Sequence, residues 1–424
     1  MAARHCKQAS RRRAPERGAI LIQVAIAMIV LIAFVSFVAD YGLLWVGRRQ
    51  AQNAADAGAL AGAVAIAFDS DDRSATGPAK TAAYNFAIAN FVAGEAPNVI
   101  DPSTGNATDV KFYSEDPTAF PAECNDDTCI RVDVYRNQAR NNPLPVWFSQ
   151  LVGVVDQGVR ATAIARVTQA NASDCVKPFA IPDKWFDEWD VNPVIDEDVW
   201  TEDDNFEEYE DKQRKQPLGP EADLYRDTKD ADPTGFRLPN DLGLLVELKA
   251  GNPKDSIAPG NYFPVRLPLP GGEYSTGGDD YRWNIGHCNG VPITIDPPTY
   301  LENEPGNMVG PTAQGMQDLI DLDPNAKWDT TNKVVYDSCA QDDPPCAGHS
   351  PRIVAIPIYD TRAFYDGQMN GLVTLKIINL IGFFVDQMKG NTVLGYFCTM
   401  PGLTVGNGQI NPNSSFLFNI SLIR

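Results

Sequence analysis

The residues able to do chemistry are few and scattered. His287 and Cys288 stand side by side, and a thiolate nucleophile needs a base near enough to lower its pKa. Adjacent side chains in an extended segment point to opposite faces, so this pair is not expected to meet. Cys288 reads better as a disulfide partner, with Cys175 and Cys398 as available mates. The chain has no G-x-S-x-G elbow, H-E-x-x-H pair, Walker A loop or G-x-G-x-x-G turn. A non-catalytic protein is expected, with no catalytic residue, cofactor or metal ligand assigned. The competing reading is an exported hydrolase or thiol enzyme using Cys288 or the acidic cluster described below.

The chain has eight cysteines. Cys6 lies in a basic leader; the others are Cys124, Cys129, Cys175, Cys288, Cys339, Cys346 and Cys398. Cys124/Cys129 and Cys339/Cys346 each close a short Asp-containing loop, which in an oxidising compartment reads as a disulfide. Zinc is the rival reading, but the spacings are C-x4-C and C-x6-C with only His287 and His349 to help. Seven cysteines past the leader leave one free, or paired between chains.

The formal net charge is −20. Setting aside the six basic residues and one acid of the leader leaves 29 basic against 54 acidic groups, a net −25. Such a surface repels nucleic acid and anionic membrane faces, and a nucleic-acid role is excluded. Residues 183–232 hold 19 acids and 6 bases with scattered Trp and Tyr, and read as a solvated connection or flap. Clustered carboxylates suit calcium, yet no EF-hand spacing occurs. DLDPN at Asp321–Asn325 starts like such a loop but has Ala326 at the sixth position and Asn332 at the twelfth. Trp185, Trp189 and Trp200 suggest instead a carbohydrate- or surface-binding module.

These residues must be positioned by a chain that begins with an anchor. Arg4, Lys7, Arg11, Arg12, Arg13 and Arg17 precede an apolar run, Ala19–Ala39, broken only by Gln23 and Ser36. About twenty apolar residues are what a helix needs to cross a hydrocarbon core of roughly 30 Å. The basic excess places the N-terminus in the cytoplasm and everything after about residue 40 outside. A cleaved signal peptide is the alternative, but the run is longer than such an apolar region and no A-x-A site directly follows. A third reading comes from Gly18, Ala19 and Gln23: the basic–glycine–apolar order resembles a type IV prepilin site. Gln23 stands where those sites usually carry Glu, so cleavage after Gly18 is open.

Beyond the span, Ala51, Ala55, Ala59, Ala63 and Ala67 recur every fourth residue beside Gly58 and Gly62. A row of small side chains lets another helix approach closely, and the chain's own Ala79–Val92 is the natural partner. Strands are expected at Asp109–Tyr113, Cys129–Arg136 and Gly158–Val167, and a brief helix within Val146–Val155. More strands are expected at Gly260–Leu269, Arg352–Tyr359, Gly371–Met388, Thr392–Cys398 and Phe416–Ile423. EPGNMVGPT (Glu304–Thr312) reads as a turn, or a binding-loop carboxylate, ahead of a helix capped by Thr312. The expected class is α+β: a transmembrane helix continuing into a pilin-like helix-plus-small-sheet region, then an irregular β-rich domain. The divisions are leader 1–18, span 19–39, stalk and small α/β region 40–170, acidic connection 171–255 and distal domain 256–424.

Four stretches carry a resemblance. They are ERGAILIQVAIAMIV with DYGLLWVGRRQAQNAADAGALAGA, CVKPFAIPDKW (Cys175–Trp185), YRWNIGHCNG (Tyr281–Gly290), and ENEPGNMVGPTAQGMQDLIDLDPNAKW (Glu302–Trp328). Together the chain resembles the TadG/TadE-like proteins of tight-adherence (Flp) pilus loci. The resemblance implies a single-pass protein of the bacterial inner membrane with its bulk periplasmic or extracellular. Its implied partners are the membrane and the pilus or Tad secretion machinery, with homo-oligomeric or pilin-like association. Several TadG proteins carry a von Willebrand A domain whose metal site begins D-x-S-x-S; no such motif occurs here. The N-x-S/T matches at Asn106, Asn171, Asn413 and Asn419 are then read as chance.

Overall fold

The computed structural model describes residues 17–69, 72–104, 109–186, 205–211, 216–219, 222–230, 232–251, 256–339, 350–368, 374–406 and 416–423. Helix α1 (Arg17–Phe68) is 52 residues long, about 78 Å at 1.5 Å per residue. Its two halves have different surroundings. From Ile20 to Val38 its large apolar side chains are exposed, and this helix alone among the described residues is long and apolar enough to cross a membrane. From Ala51 onward it enters a core.

That second half packs on α2 (Pro78–Ala89), whose proline sits at the first turn, where its missing N–H costs nothing. Ala51, Ala55, Ala59 and Ala63 are fully buried, as are Ala79, Ala83 and Ala87 across from them. A Cβ at Gly58 would lie 2.8 Å from the Ala83 carbonyl oxygen, and one at Gly62 would lie 2.6 Å from Ile130. The small-residue row is therefore used inside the molecule, against the chain's own next helix.

The same helix covers a five-stranded sheet. Its order is β1 (Val110–Phe112), β2 (Cys129–Arg136), β3 (Val159–Gln169), β18 (Leu417–Ile423) and β17 (Met400–Pro401). Alternation decides the buried face: Val159, Ala161, Ala163, Ala165 and Val167 of β3 point to α1, opposite Val132 and Val134 of β2. The expected brief helix is a short 3-10 turn at Ser149–Val152.

The second body is a β-barrel. Strands β15 (Thr374–Lys389), β14 (Ile353–Tyr359), β5 (Phe179–Pro182), β9 (Asn261–Pro264), β8 (Leu245–Ala250) and β16 (Thr392–Cys398) pair in that order, and β16 pairs again with β15. The ring is closed, with β14/β5 and β8/β9 parallel and the other pairs antiparallel. β11 (Tyr300–Glu302) adds to β15 outside the ring. Small ribbons pair β4 (Ala172–Ser173) with β10 (Ile293–Thr294), β6 (Tyr209–Asp211) with β7 (Gln216–Pro217), and β12 (Lys327–Asp329) with β13 (Val334–Tyr336). Helices α3 (Gly278–Gly286), α4 (Val309–Leu322) and α5 (Thr361–Gln368) complete the α+β class.

Closing so small a ring forces strands together. A Cβ at Gly382 would sit 2.4 Å from the Cys398 carbonyl oxygen, and one at Gly395 would sit 2.2 Å from that of Phe384. Glycine at these two positions, opposite Cys398 and Val385 respectively, is what lets β15 coil against β16.

Several expectations change. Gly371–Met388 is long enough to hold two strands or a strand and a helical turn; its described part is one long strand, β15, bulged near Val385. The strand expected over Gly260–Leu269 is confined to Asn261–Pro264. Phe416–Ile423, counted with the distal strands, joins the first sheet: β18 runs antiparallel to β3 from Phe418/Gln169 to Ile423/Ile164. The backbone N–H and C=O groups along that edge of β3 are paired by β18. The 183–232 segment is not simply solvated. Trp185, Phe206 and Tyr225 are buried in the barrel core, because isolated aromatics in an acidic run still favour burial.

The α1 seam generates a test. Gly62→Leu should destabilise the purified protein by about 2–3 kcal/mol through overpacking. Gly42→Ala, where nothing lies within 4 Å, should be neutral or gain up to about 1 kcal/mol of helix propensity. Equal thermal unfolding midpoints for the two variants would contradict the seam.

Candidate functional site: the anchor root and its body

Asp40 closes the apolar run of α1 and is almost wholly buried. Its carboxylate accepts the backbone N–H groups of Trp147 (3.1 Å), Phe148 (3.0 Å) and Ser149 (2.6 Å), and the Ser149 hydroxyl. The hydroxyl bond first, and then these backbone bonds, hold the carboxyl at about 2 despite burial. The charge at the root of the anchor is thus spent on pinning a loop 107 to 109 residues away in sequence.

The predicted processing residues lie on this helix. Gly18 and Ala19 fall within its first turns, and Gln23 is exposed among the apolar side chains of the span.

Cys124 and Cys129 come to disulfide distance, with Cα atoms 5.9 Å apart, at the entry to β2. Cys175 and Cys288 do the same with Cα atoms 4.3 Å apart, and this bond ties the end of α3 to the β4/β10 ribbon. His287 turns away: its ring stacks on Trp283 at 4.6 Å, and its Nδ1 lies 3.0 Å from the Trp283 carbonyl oxygen. The adjacent His–Cys pair is not brought together for catalysis. Cys398 is the free cysteine among the described residues; burial pushes its thiol up to about 12. Such a thiol is a poor nucleophile at neutral pH. The expected Cys339/Cys346 pair reaches outside the described residues at Cys346.

The other singled-out residues serve the fold. Thr312 does not cap α4: the helix begins three residues earlier, with Met308 at the cap in the left-handed region at φ 44°. Pro311 stands in the first turn, where no N–H is needed. The Thr312 hydroxyl instead donates to the Met308 carbonyl at 2.8 Å and pairs with the Tyr281 hydroxyl at 3.0 Å. Glu304 is no open ligand either: it accepts from Arg266 Nε at 2.8 Å and from the Gly277 N–H at 3.1 Å.

Asp323, from the calcium-like DLDPN, is buried. Burial pushes its carboxyl up, but Ser350 (2.6 Å), Ser338 (2.7 Å) and the Cys339 N–H (3.1 Å) outweigh it and keep it low. Its acceptor capacity is used. Trp185, offered as a surface ring, is buried edge-on to Phe206 at 5.5 Å, so it cannot stack on a sugar. Trp189 and Trp200 lie outside the described residues, as do Asn106 and Asn413. Asn171 is fully buried and bonded to the backbone of Val405 and Asp296, which closes that N-x-S/T match to modification.

Sequence reading missed two features. Between the end of α1 and the barrel lies a cavity of about 480 Å³, lined by Val64, Phe68, Trp328, Ser350, Cys398 and Phe418 among others. Two of its lining hydroxyls, Ser338 and Ser350, are the ones that donate to Asp323. Asp183 is the second feature. It accepts the N–H of Phe236 (2.9 Å) and Lys184 (3.0 Å) and the hydroxyl of Tyr225 (3.2 Å). Burial drives its carboxyl up to about 7, against those bonds, and Asp360 adds to the rise. No local signal in the acidic run distinguishes Asp183 from its neighbours.

The chain thus combines one apolar helix long enough to cross a bilayer with a packed α+β body that carries two cysteine pairs at disulfide distance. Residues 18–65 match the protein family described as putative Flp pilus-assembly TadE/G-like, and the similarity is confined to that stretch. The match covers the whole of α1 except its ends. No curated protein and no solved structure matches the chain.

Asp183 makes stability pH-dependent. Unfolded, it ionises near pH 4; folded, it holds its proton to about pH 7. Its stabilisation is complete below about pH 4 and is lost as pH rises to about 7, reaching a few kcal/mol at roughly 1.4 kcal/mol per pH unit. Asp183→Asn mimics the protonated form, so its thermal midpoint should gain on the parent's across that interval; parallel profiles would refute this. The Cys175/Cys288 bond closes a loop of sequence separation 113. Replacing both by serine should cost about 2–5 kcal/mol, measured by denaturant unfolding.

Proposed function

We propose that this chain is a single-pass, non-catalytic envelope protein that takes part in Flp/Tad-type pilus assembly or surface attachment. The N-terminus is cytoplasmic, the span sits in the inner membrane, and the α+β body projects into the periplasm. One observation carries the reading: the TadE/G-like match over residues 18–65 coincides with a single helix that is apolar and exposed first and core-packed afterwards. The basic residues before the span support the orientation. The satisfaction of Glu304 and Asp323 by protein donors supports a structural role for both. The partners would be components of the pilus machinery, meeting the body on its acidic surface.

Deleting the gene should abolish or strongly reduce piliation and surface attachment, and the full-length gene should restore both. Unchanged piliation and attachment in the deletion strain would overturn the proposal. Cleavage after Gly18 is a companion proposal, resting on the order of Arg17, Gly18, Ala19 and Gln23. N-terminal sequencing of the membrane form should read from Ala19; a start at or before Gly18 removes it.

A further inference from the structure

The segment from Leu144 to Gln157 is an excursion folded back along α1. The Leu144 N–H donates to the Gln157 carbonyl at 2.8 Å, which closes its base. At that base Leu144 lies on Gly47, where a Cβ would be 3.1 Å from its Cδ1 atom. Three residues on, the N–H groups of Trp147, Phe148 and Ser149 reach Asp40. Gly47 and Asp40 are seven residues apart, about 10 Å along a helix. The excursion therefore runs toward the apolar run, and its tip is fastened at the residue where that run ends.

The composition of the tip matches that position. No charged residue occurs between Leu144 and Val155. Trp147 is 68% exposed and Val155 76% exposed, and Phe148 and Val154 are exposed as well. Alongside on α1, Phe37 stacks on Tyr41 at 5.2 Å and Tyr41 meets Trp45 edge-on at 6.3 Å, all three facing outward. Tryptophan and tyrosine concentrate where a bilayer meets water, since one end of each ring system is apolar and the other polar. Asp40, at the hydrocarbon edge, has its charge satisfied by backbone and hydroxyl donors, so it tolerates leaving water. Arg48 and Arg49, both exposed, follow within three turns, where headgroup phosphates would lie.

We infer that the Leu144–Val155 loop is a second membrane-contacting element, seated in the interface of the leaflet from which α1 emerges. Trp147, Phe148, Val154 and Val155 enter lipid beside Phe37, Tyr41 and Trp45. The occupant of this patch is lipid because the patch is continuous with the span: a bilayer that holds α1 up to Ala39 reaches the loop bonded to Asp40. The inference rests on reading α1 as a spanning anchor. Its consequence is a two-point contact that fixes the tilt and rotation of the body relative to the membrane, which a lone helix would leave free.

The test uses the full chain in phosphatidylcholine/phosphatidylglycerol vesicles, with a fluorescent amino acid at one site per preparation and lipids carrying quenchers at shallow or deep acyl positions. The sites are Phe34 in the span, Trp147 in the loop, and Glu123 in the exposed loop before β2. Deep quenchers should act at position 34, and shallow quenchers should act severalfold more at 147 than at 123. Asp40→Asn and, separately, Val155→Asp should lower quenching at 147 to the level at 123 while leaving 34 unchanged. Quenching at 34 with none above background at 147 overturns the loop inference and leaves the anchor standing. No quenching at 34 overturns the anchor reading itself. Protection of 147 that appears only with rising protein density assigns the patch to a second copy of the chain and overturns the lipid assignment.

Discussion

Close approach of α1 to α2 and to the first sheet is the contact on which the rest of the molecule depends. One helix must serve two environments along its length. Its outer half carries large apolar side chains exposed on every side, whereas its inner half presents alanine and glycine so that a second helix and β2 can touch its backbone. Glycine within a helix costs roughly 0.5–1 kcal/mol relative to alanine. Dense packing against Ala83, Ala87 and Ile130 offsets that cost. Because the helix is continuous, whatever orients the inner half also orients the span.

From that seam the fold grows outward in both directions of the chain. β3 lies on α1, and the final strand β18 pairs with β3, so the end of the sequence is stitched to its beginning. Thr399, just after barrel strand β16, donates to the carbonyl of Ala67 at 3.2 Å, and Phe68 meets Phe418 edge-on at 6.3 Å. The barrel is thus attached to the anchor helix by short-range contacts as well as by covalent connection. Its own closure depends on a different constraint, the two glycines where β15 and β16 cross too closely for any side chain.

Much of the first layer was legible from residue order. The alanine spacing of α1 and the alternation of CIRVDVYR and GVRATAIARV each reflect local periodicity, and each became the element it implied. The distal half was legible only in part. Strand-like runs were visible, but not that β5, near residue 180, would pair with β9 and β14, because parallel and long-range pairings leave no periodic mark. The helix start at Met308 was misplaced at Thr312, since a threonine before an apolar run looks like a cap whether or not the chain turns earlier. The candidate site followed the same division. Close cysteine spacing announced Cys124 with Cys129, whereas the choice of Cys175 for Cys288 required the ribbon that carries one toward the helix carrying the other.

By itself, the sequence determined that this protein has one long apolar helix, an excess of positive charge before it, an acidic body after it and no familiar catalytic motif. These are properties of composition and of spacing within a turn or two, and no later folding alters them. Only the tertiary structure decided which polar groups are consumed. Asp40 pins a loop more than a hundred residues away, Asp323 and Glu304 are satisfied inside the body, and Trp185 is buried rather than displayed. Burial and hydrogen-bond partnership are set by contacts between distant segments, so the availability of a side chain for function becomes definite only when the whole chain has closed around it.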